Sequence, residues 1–112
     1  MKKKRQRIEV YLPKQYNPDS QGIRKNVPAE LLRVVKEEVK QHFSELGVSF
    51  EFVTRARVHG EYKGIEDRLL VVTLDTRLKA TDFAWIRQFK EKLKRRFEQE
   101  EIYIVYYDVF IL

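Results

Sequence analysis

The periodicity of the apolar residues changes along the chain in an order that leaves few folds open. Six segments follow one another with strand, helix, strand, strand, helix and strand character, over residues 8–12, 28–46, 48–59, 69–74, 81–97 and 102–112. This order predicts a ferredoxin-like α+β sandwich of βαββαβ topology, in which a four-stranded antiparallel sheet carries both helices on one face. Right-handed crossovers place the first and third strands in the centre, and a plan with another strand order is the main alternative.

The size and the charge distribution of the chain indicate one domain with a short basic start. A chain of 112 residues with 43% apolar residues is large enough for one real core. Basic residues run from Lys2 to Arg7, so we expect an N-terminal arm over residues 1–7 and a single ferredoxin-like domain over residues 8–112. The stretch after the arm is too short and too polar for a secretion signal, and no segment has the length of a membrane span. The sequence therefore predicts a cytoplasmic protein.

Composition argues against several chemistries. The chain has no cysteine, which excludes disulfides, thiolate zinc sites and cysteine nucleophiles. Its two histidines, His42 and His59, fall on different predicted elements, so a histidine-based metal site within one chain is not expected. We predict neither a metal nor a cofactor.

One face of the predicted sheet is apolar although no helix covers it. Strand parity places one set of side chains beneath the helices, namely Ile8, Val10, Leu12, Phe50, Phe52, Leu70, Val72, Leu74, Ile102 and Ile104. The opposite parity places a second set on the open face, namely Tyr11, Val53, Leu69, Val71, Tyr103, Val105 and Tyr107. Large exposed apolar patches mark association, and a two-fold axis lets such a surface cover itself.

The open face therefore predicts a homodimer, or an oligomer built from dimers, and a role as a protein-interaction or accessory module. Face-to-face packing of two sheets is the expected arrangement. The alternative is that the N-terminal arm, the long loop over residues 14–26 or the C-terminal tail folds over this face.

A second possible function is nucleic-acid binding, since the formal net charge is +6. The residues that would neutralise phosphates are Lys2, Lys3, Lys4, Arg5 and Arg7 in the arm, and Lys90, Lys94 and Arg95 on the second helix. The alternative interpretation is a solubilising tail and a solvated helix face, because glutamates such as Glu91 and Glu98 are interspersed. The predicted third strand also lacks the aromatic residues on which RNA-recognition domains of this fold stack bases.

A third possible function, that of a small enzyme, depends on the predicted hairpin after the second strand. His59 with Glu61 or Asp67 has the composition of an acid–base pair, placed in a pocket at a dimer interface. No nucleophile or glycine-rich phosphate loop lies near it in the sequence, so an ordinary hairpin with charged residues in water is the preferred interpretation. We therefore assign no catalytic residue.

Three stretches taken together resemble a group of small bacterial proteins. They are Tyr11-Leu12-Pro13 with Tyr16-Asn17, then Gly60-Glu61-Tyr62 with Gly64 and Asp67, and finally Phe97-Glu98-Gln99-Glu100-Glu101-Ile102. Their order is similar to that in uncharacterised bacterial single-domain proteins with a Leu-Pro first strand, a Gly-x-aromatic hairpin and a Phe-x-Gln-Glu-x-Ile entry to the last strand. The resemblance implies a single domain and no particular activity. The chain departs from the group by its longer basic start and by a single glycine, Gly47, where a pair is expected.

Overall fold

The computed structural model describes residues 3–44, 49–59, 65–76 and 80–112. Its elements, in chain order, are β1 (Lys3–Pro13), α1 (Ala29–Ser44), β2 (Ser49–His59), β3 (Ile65–Thr76), α2 (Ala80–Arg96) and β4 (Ile104–Ile111). The strands form one sheet in the order β2-β3-β1-β4, and every neighbouring pair is antiparallel. The predicted α+β class is confirmed, and so is the ferredoxin-like position of the first and third strands at the centre.

The hydrophobic core lies between the sheet and the helices. Each central strand contributes alternate residues, as the period of two requires. The buried apolar residues of this core are Ile8, Val10, Leu12, Val27, Val35, Val39, Phe43, Leu70, Val72, Leu74, Ile86, Phe89, Leu93, Phe97 and Ile102. Phe50, Phe52 and Ile104 pack against them, so the whole set predicted beneath the helices is confirmed.

Helix α1 follows from a stripe of apolar residues at helical spacing. Val35, Val39 and Phe43 recur every four residues and are all buried. Pro28 lies immediately before the helix, where its missing N–H has no effect on the helical hydrogen bonds, and its carbonyl accepts from Leu31 N at 3.0 Å.

Trp85 of α2 joins the two helices. Its ring stacks on His42 of α1 at 4.0 Å between centroids and meets Phe43 edge-on at 5.2 Å. It also stacks on Phe89 of its own helix at 4.7 Å. Trp85 is therefore a packing residue between the helices.

Helix α2 ends in a tight turn that directs the chain into β4. Glu98 has a positive φ of 52°, the left-handed conformation that often follows a helix. Gln99 N donates to Lys94 O at 3.0 Å, which satisfies one of the last carbonyls of the helix. Within the described residues, neither helix is long and apolar enough to cross a membrane.

Strand β1 is longer than its hydrophobic pattern predicts. Alternation indicates a strand over residues 8–12, whereas the strand begins at Lys3. Residues 3–7, expected in a basic arm, pair with residues 107–111 of β4. The backbone pairing of β4 extends this half of β1, where the alternating apolar pattern that marks a strand in the sequence is missing.

Candidate functional site

The open face of the sheet, meaning the face without helices, is less uniformly apolar than strand parity predicts. Of the seven residues predicted there, Val53, Tyr103 and Tyr107 are exposed, Tyr11, Leu69 and Val105 are half-buried, and Val71 is buried. Charged side chains from three strands share this face with them. The arrangement of these charges decides where apolar surface remains available.

A polar chain crosses the open face from β2 to β4 through the carboxylate of Glu9. Glu9 lies on β1 and is only 8% exposed. Its Oε1 accepts a hydrogen bond from the Tyr107 hydroxyl at 3.0 Å, and its Oε2 accepts one from Arg55 Nη1 at 3.3 Å. A carboxylate at this depth is tolerated because both oxygens have donors, one of them charged.

Val71 lies beneath this polar chain and is 0% exposed. The register pairs Arg55 with Leu69 and Glu9 with Thr73, so a line from Arg55 to Glu9 crosses β3 at Val71. The expectation that Val71 lies on an open apolar surface is therefore wrong for the single chain. The side chains of its neighbours already cover it.

A second ion pair lies beside this polar chain, toward the N-terminal end of β1. Arg7 donates from Nε to Asp75 Oδ1 at 2.7 Å and from Nη2 to Oδ2 at 3.2 Å. This fork on Asp75 raises the pKa of Arg7. Burial, followed by the hydrogen bond to Glu9, raises the pKa of Tyr107. Tyr107 therefore stays a hydroxyl donor to a higher pH than an ordinary tyrosine.

Apolar exposure is concentrated at β4 and its two ends. Among the described residues eight large apolar side chains are exposed, and six of them lie in residues 103–112. These six are Tyr103, Tyr106, Tyr107, Phe110, Ile111 and Leu112. Within the described part of the chain, β4 pairs only with β1, so its other side is an edge of the sheet. An exposed apolar edge strand of this kind is prone to pair with another strand.

An apolar groove lies beside β4, on the helix side of the sheet. It has a volume of about 310 Å³ and is lined by Phe83, Ile86, Arg87, Lys90, Ile104 and Tyr106. The ring of Tyr106 meets that of Phe83 edge-on at 5.2 Å, which forms one end of the groove. The groove and the exposed residues of β4 form a continuous surface, which we call the β4 edge.

The basic residues predicted to bind phosphates do not form one patch. Arg7 is paired with Asp75, Lys90 Nζ lies 2.7 Å from Glu101, and Lys94 Nζ lies 3.5 Å from Glu91. Arg5 and Arg95 are exposed. Lys3 and Lys4 lie on β1, with side chains outside the described residues, and Lys2 lies outside them altogether.

The two basic groups also lie at different ends of the sheet. Lys90 lies close to the start of β4, because it binds Glu101 just before that strand. The start of β4 pairs with Val10, whereas Arg5 pairs with Val109 near the other end of β4. The arm residues and the α2 residues are therefore separated along β1.

The acid–base pair considered near His59 cannot be placed. Residues 60–64 lie outside the described residues, as do the side chains of His59 and Asp67. In the part of the chain that is described, no group of three or more histidine, aspartate or glutamate side chains is positioned to hold a metal ion.

Sequence reasoning did not identify the ion pair between Glu9 and Arg55, which covers Val71 on the open face. The parity of Glu9 with Tyr11 places it on the open face, which was a usable signal. Its pairing with Arg55 depends on the registers of two strand pairs, which alternation alone does not define.

Comparisons of the chain with protein-family models, with curated proteins and with solved structures find no match.

Proposed function

We propose that this protein is a self-associating interaction module whose partner is a second copy of the chain, docked along the β4 edge. The observation that carries the proposal is the concentration of exposed apolar side chains on β4, where Tyr106 and Phe110 are each 59% exposed. Burying apolar surface contributes about 25 cal/mol per Å². Several large side chains on one strand therefore provide a substantial driving force for association.

Pairing through this edge fits the open face better than the face-to-face packing expected from the sequence. The polar chain of hydrogen-bonded side chains, from Arg55 through Glu9 to Tyr107, crosses the middle of the face. Glu51 is also exposed. A second sheet laid on this surface would have to desolvate these charged groups, which is costly without new partners. The other edge strand, β2, exposes Thr54 and Arg55 instead of large aromatic residues, which discourages pairing there.

Backbone geometry shows which residues of β4 are able to pair outward. Tyr11 N donates to Tyr103 O at 3.0 Å, so the backbone of Tyr103 is directed toward β1. Because hydrogen-bonded and non-hydrogen-bonded positions alternate in antiparallel sheets, the next residue and every second one after it direct their N–H and C=O groups to the outer edge. These residues are Ile104, Tyr106, Asp108 and Phe110.

The charge of Asp108 favours one of two adjacent registers for two antiparallel β4 strands. A two-fold axis at Asp108 would place its carboxylate opposite its own copy, which is unfavourable. An axis at Tyr107 instead pairs Asp108 with the Tyr106 of the second copy, whose hydroxyl is a possible donor. The same axis pairs Val105 with Val109 and Ile104 with Phe110. In this register all pairs except that of Asp108 with Tyr106 are formed by apolar or aromatic residues.

This register also provides an occupant for the groove beside β4. Phe110 of the second copy would lie opposite Ile104, which lines that groove. Phe83 and Ile86 line the same groove and offer apolar contacts to the incoming ring. By symmetry the exchange happens twice, as in any isologous interface. The dimer would then be one continuous eight-stranded sheet with two aromatic side chains anchored at its centre.

Sedimentation equilibrium of the unaltered chain tests the proposal. We expect a species of twice the chain mass at concentrations of about 10–100 µM, the range in which modest interfaces associate. Because the contacts are mainly apolar, the association should change little with added salt. A single-chain mass across the whole concentration range would contradict the proposal.

A further inference from the structure

A cleft lies where the open face ends, at the C-terminal end of β1. It has a volume of about 160 Å³, several times the ~30 Å³ that one water occupies in the liquid. Its lining residues come from four separate parts of the chain, namely Tyr11, Pro13, Gln15, Asn17, Arg24, Arg68, Leu69, Gln99, Glu101, Ile102 and Tyr103. Two of the three stretches that carry the bacterial resemblance, around Pro13 and Gln99, meet here.

The loop over residues 14–26, which forms one wall, is held by its own hydrogen bonds. Asp19 Oδ1 accepts from Gln21 N and from Ile23 N, both at 2.9 Å. Arg24 Nε donates to Tyr16 O at 3.2 Å, which fixes the stem of the arginine side chain at the cleft. The loop is therefore folded before any ligand arrives, and little entropy is lost on binding.

Contacts with other parts of the chain also fix the lining of the cleft. Lys14 N donates to Arg68 O at 3.0 Å, which ties the loop to β3. The rings of Tyr11 and Tyr103 lie 5.3 Å apart between centroids, and both residues line the cleft. Glu101 accepts a hydrogen bond from Ile102 N at 3.1 Å on the far side.

The charges around the cleft favour an anion. Arg24 and Arg68 bring two guanidinium groups into the lining. Among the described lining residues Glu101 is the single acidic one, and Lys90 Nζ lies 2.7 Å from its carboxylate. The hydrogen bond from Lys90 lowers the pKa of Glu101, and the pair contributes no net charge. The amide of Asn17 adds a neutral donor, whereas those of Gln15 and Gln99 already donate to Asn26 Oδ1 at 3.4 Å and to Phe97 O at 3.1 Å.

From this lining we propose that the cleft binds a small oxyanion, a carboxylate or phosphate group, held by Arg68 and Arg24. Guanidinium groups present parallel N–H donors that match two oxygens of such groups. All lining residues belong to one chain, so the site does not depend on the proposed dimer.

Backbone amide NMR titrations test this site with sodium phosphate in one arm and sodium acetate in the other. Sodium chloride at equal ionic strength controls for general screening. Saturable shifts at about 1–20 mM, a weak affinity typical of small ions, are expected over residues 11–17 and 99–103. The arm with the tighter binding identifies the group that the cleft prefers.

Two variants that lose the same charge separate the cleft from general electrostatics. Arg68→Ala is expected to weaken binding of the preferred ion about tenfold, and Arg95→Ala, on exposed α2 surface, less than about twofold. Arg68→Lys keeps the charge without the planar fork and should bind with intermediate affinity. Phe110→Lys, which is designed to disrupt the dimer, should bind as the unaltered chain does.

Two results would overturn the site: no saturable shift with either ion, or equal loss in the Arg68 and Arg95 variants. Loss of binding in Phe110→Lys alone would contradict a site contained in one chain. Sedimentation measures the dimer and not the anion site, so the two proposals are tested independently.

Discussion

Replacing Val71 with aspartate is expected to lower the free energy of unfolding by about 3–5 kcal/mol, a large part of the 5–15 kcal/mol that holds a typical domain together. Val71 is 0% exposed on the central strand β3. An aspartate there would be a third charge buried beneath the Arg55–Glu9 pair, whose two charges already neutralise each other. Its short side chain has no means of reaching water.

The neighbour of Val71 on β2 provides the matched control. Val53 is paired directly with Val71 in the sheet, but it is 36% exposed. Val53→Asp introduces the same residue, with the same low strand propensity, and should lower the free energy of unfolding by about 1 kcal/mol or less. Urea unfolding followed by circular dichroism measures both variants. Equal stability losses would show that Val71 is not covered by its own chain.

Replacing Phe110 with lysine is expected to raise the dissociation constant of the dimer by about 30- to 1,000-fold. This range corresponds to the roughly 2–4 kcal/mol that truncation of an aromatic anchor at an interface commonly costs. Phe110 is 59% exposed in the single chain, so the change should leave the stability of the monomer nearly unaltered. A lysine would also bring a charge to the apolar groove lined by Phe83 and Ile86.

Thr54→Lys on the opposite edge strand controls for the added charge. Thr54 is exposed on β2, where the proposal places no contact. Sedimentation equilibrium of both variants, with thermal unfolding as a check on the fold, separates the two outcomes. A dissociation constant that rises equally in both variants, or in neither, would refute the role of β4.

The layering and strand order were predictable because they depend on periodicity and handedness alone. The alternation of Ile8, Val10 and Leu12 identifies a strand with one buried face, whatever lies around it. The unbroken apolar run near Val72 indicates a central strand. Each of these inferences uses neighbours in the sequence, and each is confirmed by the sheet.

The surface of the open face was not predictable, because it depends on contacts between distant residues. Parity places Glu9 and Arg55 on that face but says nothing about their distance. Their hydrogen bond joins residues 46 apart in the sequence and depends on the registers of two strand pairs. The alternation of apolar and polar residues does not show that long side chains reach diagonally across a neighbouring strand. For this reason the sequence predicts Val71 as exposed.

The two ends of the chain, which pair with each other in the sheet, were only partly predictable from the sequence. The run from Lys2 to Arg7 has no apolar parity, so residues 1–7 are predicted as an arm, although a strand begins at Lys3. In β4, strand parity is used to place residues only as far as Tyr107, and Phe110 and Ile111 are assigned to neither face of the sheet. They are exposed in the single chain, since their strand pairs there with the polar start of β1.

A single cysteine at the proposed two-fold axis tests the central claim most directly, because the chain has no cysteine of its own. Directly opposed Cα atoms in an antiparallel pair lie about 4.5–5.5 Å apart, which permits a disulfide. Under mild oxidation Tyr107→Cys should therefore form a covalent dimer. Val105→Cys should not, since its own copy would lie four residues farther along the strand, about 14 Å away at ~3.4 Å per residue. Equal cross-linking of both variants, or a dimer by sedimentation that Tyr107→Cys does not cross-link, would contradict the pairing of β4 with itself.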